Sequence, residues 1–437
     1  MNSTKLFGTD GVRGVAGTEL TAELALSLGR AAAREADPDR PQVLVVRDTR
    51  ESGPMLEAAL AAGIAEGGGD ALLAGILPTP AASILVRRLG LDMGAVVSAS
   101  HNPWQHNGIK FFGPDGRKLD DEIERRIEAH VAESGAPSPA VGRLRDLNGA
   151  LDDYVRELTS RFQIDLTGRR VMLDCAHGAT YRAAPIVLER LGATVEAIGD
   201  EPDGRNINEG FGSTHPEALA DAMRSGDAEI GFAFDGDGDR VLAVDSSGAL
   251  RDGDELIALI ATHLASSGAL GGGVAVTVMS NYGFHEAMGD AGIDVATTPV
   301  GDRNVASALE DRGWSFGGEQ SGHIIWTEYG PTGDGIAAAL LVMSALGGGD
   351  LAAARPMRRL PQVLENVEIA DREALADAAA VWEAVERENG DLEGRGRVLV
   401  RPSGTEPLVR VMVEAPTEAE CDEISRRLVA VIARELT

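Results

Sequence analysis

The chain is poor in aromatics, nearly free of lysine, and carries two cysteines and no long apolar run. Aromatics are 4% of its 437 residues, against 43% hydrophobic residues overall. Its cores must therefore rely on Ala, Val, Leu and Ile. The cysteines, Cys175 and Cys421, form no Cys-x-x-Cys pair. They imply no disulfide framework, and Cys175, within the apolar run VMLDCAHG, reads as a small core residue. No stretch reaches the roughly 18 apolar residues of a membrane span. The start, MNSTKLFGTDG, lacks the apolar centre of a signal peptide. These absences predict a soluble, cytoplasmic protein with no membrane partner.

The scarcity of lysine is sharper. Lys5, Lys110 and Lys118 are the only lysines among 40 basic residues; the other 37 are arginine. With 69 Asp and Glu, the formal charge is −29. Nucleic-acid binding usually needs a basic patch, so this balance argues against that partner. A carboxylate-rich, lysine-poor surface stays solvated in concentrated salt, where repulsion between carboxylates is screened. We read the chain as salt-adapted (halophilic). A GC-rich genome would explain few lysines but not the excess of carboxylates.

At about 100–200 residues per domain, the length predicts two to four domains. QVLVVRDTR (42–50), GAVVSASHN (94–102), RRVMLDCAHG (169–178), AEIGFAFDGDGD (228–239) and GVAVTVMSN (273–281) look like buried parallel strands with polar ends. Helical patterns lie between them, at 20–35, 55–68, 183–192 and 253–266. This alternation predicts α/β units with parallel sheets. Boundaries are expected near 132–143, 245–254 and 347–362. Beyond the last, VLENVEIA, a helix over 374–388, the strands RVLVRPS and LVRVMVEA, and a helix over 419–436 predict a small α+β domain. Ligands of open α/β sheets bind beyond the carboxyl ends of strands, so the polar tips are where chemistry belongs.

DGDGDR follows the strand IGFAF. Asp235, Asp237 and Asp239 can converge if the loop curls, and Gly236 and Gly238 permit the curl. Hard carboxylate oxygens suit Mg²⁺. A solvated acidic turn or a calcium loop are the alternatives. An EF-hand needs a Glu at its twelfth position, which is Ser246 here. RPSGTEPLVR reads as a phosphate cradle: Gly404 allows a tight loop, Ser403 and Thr405 add hydroxyls, and Arg401 and Arg410 add bidentate charge. A hairpin turn with surface arginines would share that composition. In GGEQSGH, Glu319 and Ser321 alternate, so both can face one ligand, and a carboxylate with a hydroxyl suits sugar hydroxyls. FGTDGVRG, with Arg13, and PVGDRNV, with Gly301 and Arg303, resemble anion-binding loops; for Arg303 a surface salt bridge is the plainer reading.

VVSASHNPWQHNGIKFF raises the remaining question, a strand ending in Ser100 with Lys110 ten residues on. A turn would use Ser, Asn and Pro for backbone geometry alone. A serine hydrolase needs a base and an orienting acid, and no G-x-S-x-G elbow is present. His101 is adjacent, and adjacent side chains on extended backbone diverge. A phosphate ester on Ser100 fits the other parts better. Lys110 would lend charge or move a proton, which arginine titrates too high to do.

With these motifs in this order, the chain resembles the α-D-phosphohexomutases over nearly its whole length. VMSNYGFHEAM, VGDRNV and HIIWTEYGPTGDGI resemble the branch acting on glucosamine phosphates. The resemblance implies three related α/β domains and a smaller C-terminal α+β domain around a central cleft, at 1–145, 146–248, 249–358 and 359–437. It implies that Ser100 carries the transferable phosphate. Asp235, Asp237 and Asp239, with a phosphoserine oxygen at Ser100, would hold one Mg²⁺. Glu319 and Ser321 would bind sugar hydroxyls, with Gly301 and Arg303 beside them. Arg401, Ser403, Gly404, Thr405 and Arg410 would hold the substrate's other phosphate. Arg13, His101, Lys110 and Arg240 would line the reaction centre. The implied reaction interconverts glucosamine 6-phosphate and glucosamine 1-phosphate through a hexose bisphosphate, in a monomer or homodimer. Glucose or mannose phosphates are the alternative substrates; Gln320 favours the amino sugar. A hinge before about residue 365 would let the fourth domain follow the substrate as it turns over. WQH at 104–106 departs from the family's aromatic and acidic residues after the proline, and leaves that loop's contacts open.

Overall fold

The apolar runs become strands because they alternate with Ala- and Leu-rich stretches that cover both faces of a sheet. A computed structural model describes residues 6–36, 38, 40–132, 140–369, 371, 373–402 and 408–436. Ser403, Gly404 and Thr405 lie outside the described residues. Two compact units result. One comprises the chain up to Met279 together with Asp294–Ala354; the other comprises Ser280–Ile293 and the chain from Arg355.

The first unit opens with β1 (Val12–Val15), α1 (Ala22–Glu35), β2 (Gln42–Arg47), α2 (Gly53–Glu66), β3 (Asp70–Ile76), α3 (Thr79–Leu89), β4 (Met93–Val97), β5 (His106–Phe112), α4 (Asp121–Ala132) and β6 (Leu144–Asp146). Their sheet has the order β1-β5-β4-β2-β3-β6. Strands β4, β2, β3 and β6 are parallel; at one edge β5 runs against them and pairs antiparallel with both β4 and β1. Val43 to Val46 of β2 are fully buried, as a central parallel strand requires. The Thr21 hydroxyl accepts from the Leu24 N–H at 3.2 Å and starts α1, which turns Ala25, Leu28, Ala31 and Ala32 into the core. Phe7 and Phe111 are the aromatics of that core, and the rest is aliphatic.

Next come α5 (Ala150–Arg161), β7 (Arg170–Asp174), α6 (Ala183–Arg190), β8 (Thr194–Ile198), α7 (Glu217–Ser225), β9 (Ile230–Phe234), β10 (Val241–Asp245) and β11 (Leu250–Arg251), in a sheet ordered β11-β10-β9-β7-β8. The charged turn at 245–254 closes the β10–β11 hairpin: the Asp245 carboxylate accepts from the N–H groups of Ser247 and Ala249. Asp252 then caps α8 (Gly253–Ser266) by accepting from the Glu255 N–H at 3.2 Å. The third sheet uses β12 (Val274–Thr277), and after α9 (Tyr282–Asp290), which falls in the second unit, β13 (Val295–Thr298), α10 (Asp302–Arg312), β14 (Phe316–Gly318), β15 (Ile324–Trp326) and α11 (Gly335–Leu346). Its order is β13-β12-β14-β15.

One plan recurs in all three sheets. A strand of the parallel part runs into a polar loop and returns as an antiparallel strand. SASHNPWQ joins β4 to β5, DGDGDR joins β9 to β10, and EQSGH joins β14 to β15. The three loops thus hold equivalent places at the carboxyl ends of strands.

In the second unit, β16 (Gln362–Glu368), α12 (Ala379–Asp391), β17 (Arg397–Pro402), β18 (Leu408–Glu414) and α13 (Glu418–Leu436) form an antiparallel sheet, β16-β18-β17, backed by helices. The single helix expected over 374–388 is two pieces, a 3₁₀ turn at Glu373–Asp377 and then α12. The indole of Trp382 donates to the Leu375 carbonyl at 2.9 Å and stabilises the break. No described helix is long and apolar enough to cross a membrane.

Candidate active site

Past Val97, β4 gives way to a loop in which Ser100 has φ 51°, a left-handed conformation uncommon for a residue with a side chain. Buried groups hold it there. The Ser100 N–H donates to Ser98 Oγ at 3.0 Å, and Ser98 Oγ donates to Asp48 Oδ2 at 2.6 Å. Arg50 is fully buried, and every N–H of its guanidinium is engaged. Nε donates to Asp48 Oδ2 at 2.8 Å; the two terminal nitrogens donate to the carbonyls of Pro103, His106, Ser100 and Asn102. Asn208 Nδ2 donates to the Ser100 and Asn102 carbonyls as well, at 3.0 and 3.1 Å. The contacts of the unusual WQH segment are now defined: Trp104 carries the Arg205 guanidinium over its ring at 5.1 Å, and Arg205 pairs with Glu51.

Ser100 Oγ donates to Asp235 Oδ2 at 2.6 Å and lies 3.3 Å from His101 Nδ1. Asp235, Asp237 and Asp239 are buried, and one oxygen of each lies within 4.8 Å of the others. The curl is made by the two glycines. A Cβ at Gly236 would stand 2.7 Å from the Ser100 carbonyl, and Gly238 has φ 72°. Asp237 Oδ2 accepts from Lys110 Nζ at 2.7 Å and from Thr79 Oγ1 at 2.5 Å. Asp237 Oδ1 and Asp239 Oδ1 are buried without a donor among the described residues. Orphaned carboxylate oxygens in a buried cluster are costly unless a cation joins them, so this donor set fits a hard divalent ion.

Electrostatics follow from that crowding. Burial, then the neighbouring Asp239 and Asp237, push the Asp235 carboxyl well above its usual range. Burial works the same way on Asp239, but His323, Lys110 and Arg240 outweigh it and lower that group. Burial opposes the charge on Lys110; Asp10, Asp237 and Asp239 overcome it and hold an ammonium. Burial, with Arg240 and Arg13, lowers His101 and keeps it neutral.

A cavity of about 930 Å³ adjoins these groups and brings Arg13, His101, Arg240, Gly301, Arg303, Glu319 and Ser321 to one space. Arg13 is bonded to Asp10, and its Nη1 lies 3.5 Å from the Ala99 carbonyl. The Arg240 N–H donates to Asp235 Oδ1 at 3.2 Å. Glu319 Oε1 accepts from the Gly301 N–H at 3.0 Å, joining GGEQSGH to PVGDRNV. The Arg303 guanidinium is engaged by Glu124 and Asp121 of α4. In the second unit, Arg401 and Arg410 are cross-strand partners on β17 and β18. Burial and then Arg410 lower Arg401. Like charges placed opposite each other cost stability, which a bound anion would relieve.

Asp10, Asp48, Arg50, Thr79, Lys118, Asn208, Asp302 and His323 belong to these networks and were not singled out from sequence. DTR (48–50) did carry a signal, a polar triplet ending the strand that lies beside β4. Asn208 sits in an irregular loop that carried none.

Four segments match the phosphoglucomutase/phosphomannomutase domain descriptions: domain I over 4–137, domain II over 152–248, domain III over 252–363 and the C-terminal domain over 364–431. A phosphoglucosamine mutase of Pelotomaculum thermopropionicum is 51% identical over 98% of both chains. One of Nocardioides sp. is 49% identical over 99% of both. Among solved structures, a phosphoglucomutase/phosphomannomutase family protein of Burkholderia thailandensis superposes with a TM-score of 0.84 at 25% identity, covering 99% of this chain and 97% of its own. The Aspergillus fumigatus N-acetylphosphoglucosamine mutase, solved with GlcNAc-6P and magnesium, shares the fold with a TM-score of 0.70 at 19% identity, over 99% and 96% of the two chains. The chain belongs to the phosphoglucomutase/phosphomannomutase family, the phosphohexomutases.

Proposed function

We propose that this enzyme interconverts glucosamine 6-phosphate and glucosamine 1-phosphate, with Ser100 as the phosphate carrier. One observation carries the reading: Ser100 Oγ, held on a strained buried loop, touches a buried carboxylate triad with two orphaned oxygens. Identity of 51% and 49% to phosphoglucosamine mutases over nearly the full length supports the amino sugar as substrate.

In the forward half-reaction a sugar hydroxyl forms a bond to the phosphorus of phosphoserine 100 while the Ser100 Oγ–P bond breaks. The product is a hexose bisphosphate. His101, held neutral, can take the hydroxyl proton, and Lys110, an ammonium, can protonate the departing Oγ. Arg13 and Arg240 lend fixed positive charge to the phosphoryl oxygens. Asp235, Asp237 and Asp239 would hold Mg²⁺, which when bound neutralises phosphoryl charge. Glu319 and Ser321 would orient the sugar hydroxyls. Arg401 and Arg410, with 403–405, would hold the phosphate that is not reacting. The second phosphate of the bisphosphate then returns to Ser100 after the sugar turns over. We place the enzyme in a salt-rich cytoplasm on its charge of −29 and its two unpaired cysteines.

The test uses protein verified by intact mass to carry one phosphate, in molar KCl with Mg²⁺. Glucosamine, glucose and mannose 6-phosphates are compared by kcat/KM. The amino sugar should lead by about tenfold or more, worth about 1.4 kcal/mol in the transition state. A lead by glucose or mannose would overturn the substrate assignment and leave the phosphoserine chemistry standing.

A further inference from the structure

Of the two described lysines of this arginine-dominated chain, Lys110 is buried and Lys118 half-buried, and both bear on Asp10. Lys118 follows β5 and is tied back to it by a bridge between Phe112 and Lys118, so its backbone is anchored to the strand that carries Lys110. Its Nζ lies 2.5 Å from Asp10 Oδ1 and 2.5 Å from Asp302 Oδ2. Asp10 is also bonded to Arg13 and lies 3.7 Å from Lys110 Nζ. Asp302 opens α10 beside Gly301, whose N–H holds Glu319. Asp302 Oδ2 is 3.8 Å from His323 Nε2; His323 Nδ1 is 3.6 Å from Asp239 Oδ2, which is 3.9 Å from Lys110 Nζ. The circuit closes: Lys118, Asp302, His323, Asp239, Lys110 and Asp10 link the first sheet's loops, the Asp triad and the sugar loop of the third sheet, with His323 Nε2 accepting from the Gly333 N–H at 3.2 Å.

We infer that Lys118 is a positioning residue, fixing the 300–304 and 319–323 loops at reacting distance from Ser100. The inference rests on the mutase reading above. Only this nitrogen bonds both Asp10 and Asp302 among the described contacts, and two carboxylates touching one nitrogen repel each other once it is gone. A compact ammonium suits that slot; a planar guanidinium, which replaced lysine almost everywhere else in this chain, is larger and forked. Arg303 makes a separate tie from α10 to α4, so loss of Lys118 should displace loops without unfolding the unit.

The experiment compares Lys118→Met and Lys118→Arg with the wild-type chain, all phosphorylated on Ser100 and given glucosamine 6-phosphate with Mg²⁺. A misplacement of about 1 Å should lower kcat about 100-fold in Lys118→Met. KM should rise as well, by about tenfold or less, because the displaced loops carry Glu319 and Ser321, so the larger change falls on kcat. Steady turnover should come to depend on added glucosamine 1,6-bisphosphate, since a misaligned site loses its intermediate. Lys118→Arg should remain at least about tenfold below wild type in kcat. Hydrogen exchange should rise at 300–304 and stay unchanged in the second unit. Wild-type kcat in Lys118→Met, or unchanged exchange at 300–304, would overturn the inference. Should Lys118→Met fail to fold, Asp302→Asn breaks the same contact from the other side and is judged by the same readings. A wild-type chain without mutase activity would instead sink the proposed reaction, and exchange at 300–304 would still decide what Lys118 holds.

Discussion

Replacing Arg50 with Met would leave the shape of the Ser100 loop's support and remove its hydrogen bonds. The side chain is fully buried, as is its ion-pair partner Asp48. Breaking a buried pair from one side costs about 3–5 kcal/mol, because the remaining charge is uncompensated. The loop also loses four donors to carbonyls. Ser100 and Asn102 keep Asn208 as a donor and Pro103 keeps the His106 N–H, so the uncompensated share falls on the His106 carbonyl. Against a typical total stability of about 5–15 kcal/mol, the combined loss is large. Urea unfolding at matched KCl, read separately from turnover, measures it. The double change Arg50→Met with Asp48→Leu removes both charges and should recover most of the stability. It should not recover activity, because Asn208 and the Ser98 hydroxyl are then left to hold Ser100 at φ 51° without the guanidinium. We expect kcat at least about 100-fold below wild type in both variants, from misplacement of the carrier oxygen. Wild-type kcat in the double variant would refute the reasoning, for the loop would then hold its own geometry.

Asp237→Asn removes a charge from the triad while keeping partners for Thr79 and Lys110. Mg²⁺ affinity by calorimetry should fall by about tenfold or more, and Mg²⁺ should cease to raise the melting temperature; equal affinity in both proteins would place the ion elsewhere. Burial pushes the Asp334 carboxyl up to about 6, against hydrogen bonds from Tyr154, Tyr329 and the Ala337 N–H. The unfolded chain titrates this group near 3.8. The folded protein therefore binds more protons between those values, and stability falls as pH rises from about 4 to 6, by up to roughly 3 kcal/mol. Asp334→Asn still caps α11 and should flatten that slope; identical urea midpoints against pH in the two proteins would contradict it.

The parts of the site legible in the sequence are those where one short segment carries its own chemistry. DGDGDR could be read because alternate carboxylates and glycines specify a curl and a cation together. Lys110 stood out because lysine is so rare here. What could not be read depends on which strands are neighbours. Arg50 supports Ser100 only because β2 lies beside β4, and no local pattern states that pairing. Asp10, Lys118, Asp302 and His323 come from different loops and meet only once two sheets are placed together. Arg303 shows the reverse: its loop composition resembled an anion site, whereas its guanidinium is engaged by Glu124 and Asp121 of α4. The helix expected over 374–388 divided at Ala378, where the Trp382 indole bonds back to the Leu375 carbonyl of the same segment against a continuous alanine-rich propensity.

The central claim is that Ser100 hands its phosphate to a sugar phosphate and takes one back. The most direct measurement labels the protein with ³²P, maps the label by peptide mass, and adds unlabelled glucosamine 6-phosphate in a single-turnover mixture. Label should appear on the peptide containing Ser100 and then pass into a hexose bisphosphate within one turnover. Label that maps to another residue, or that stays on Ser100 while product accumulates, would contradict it.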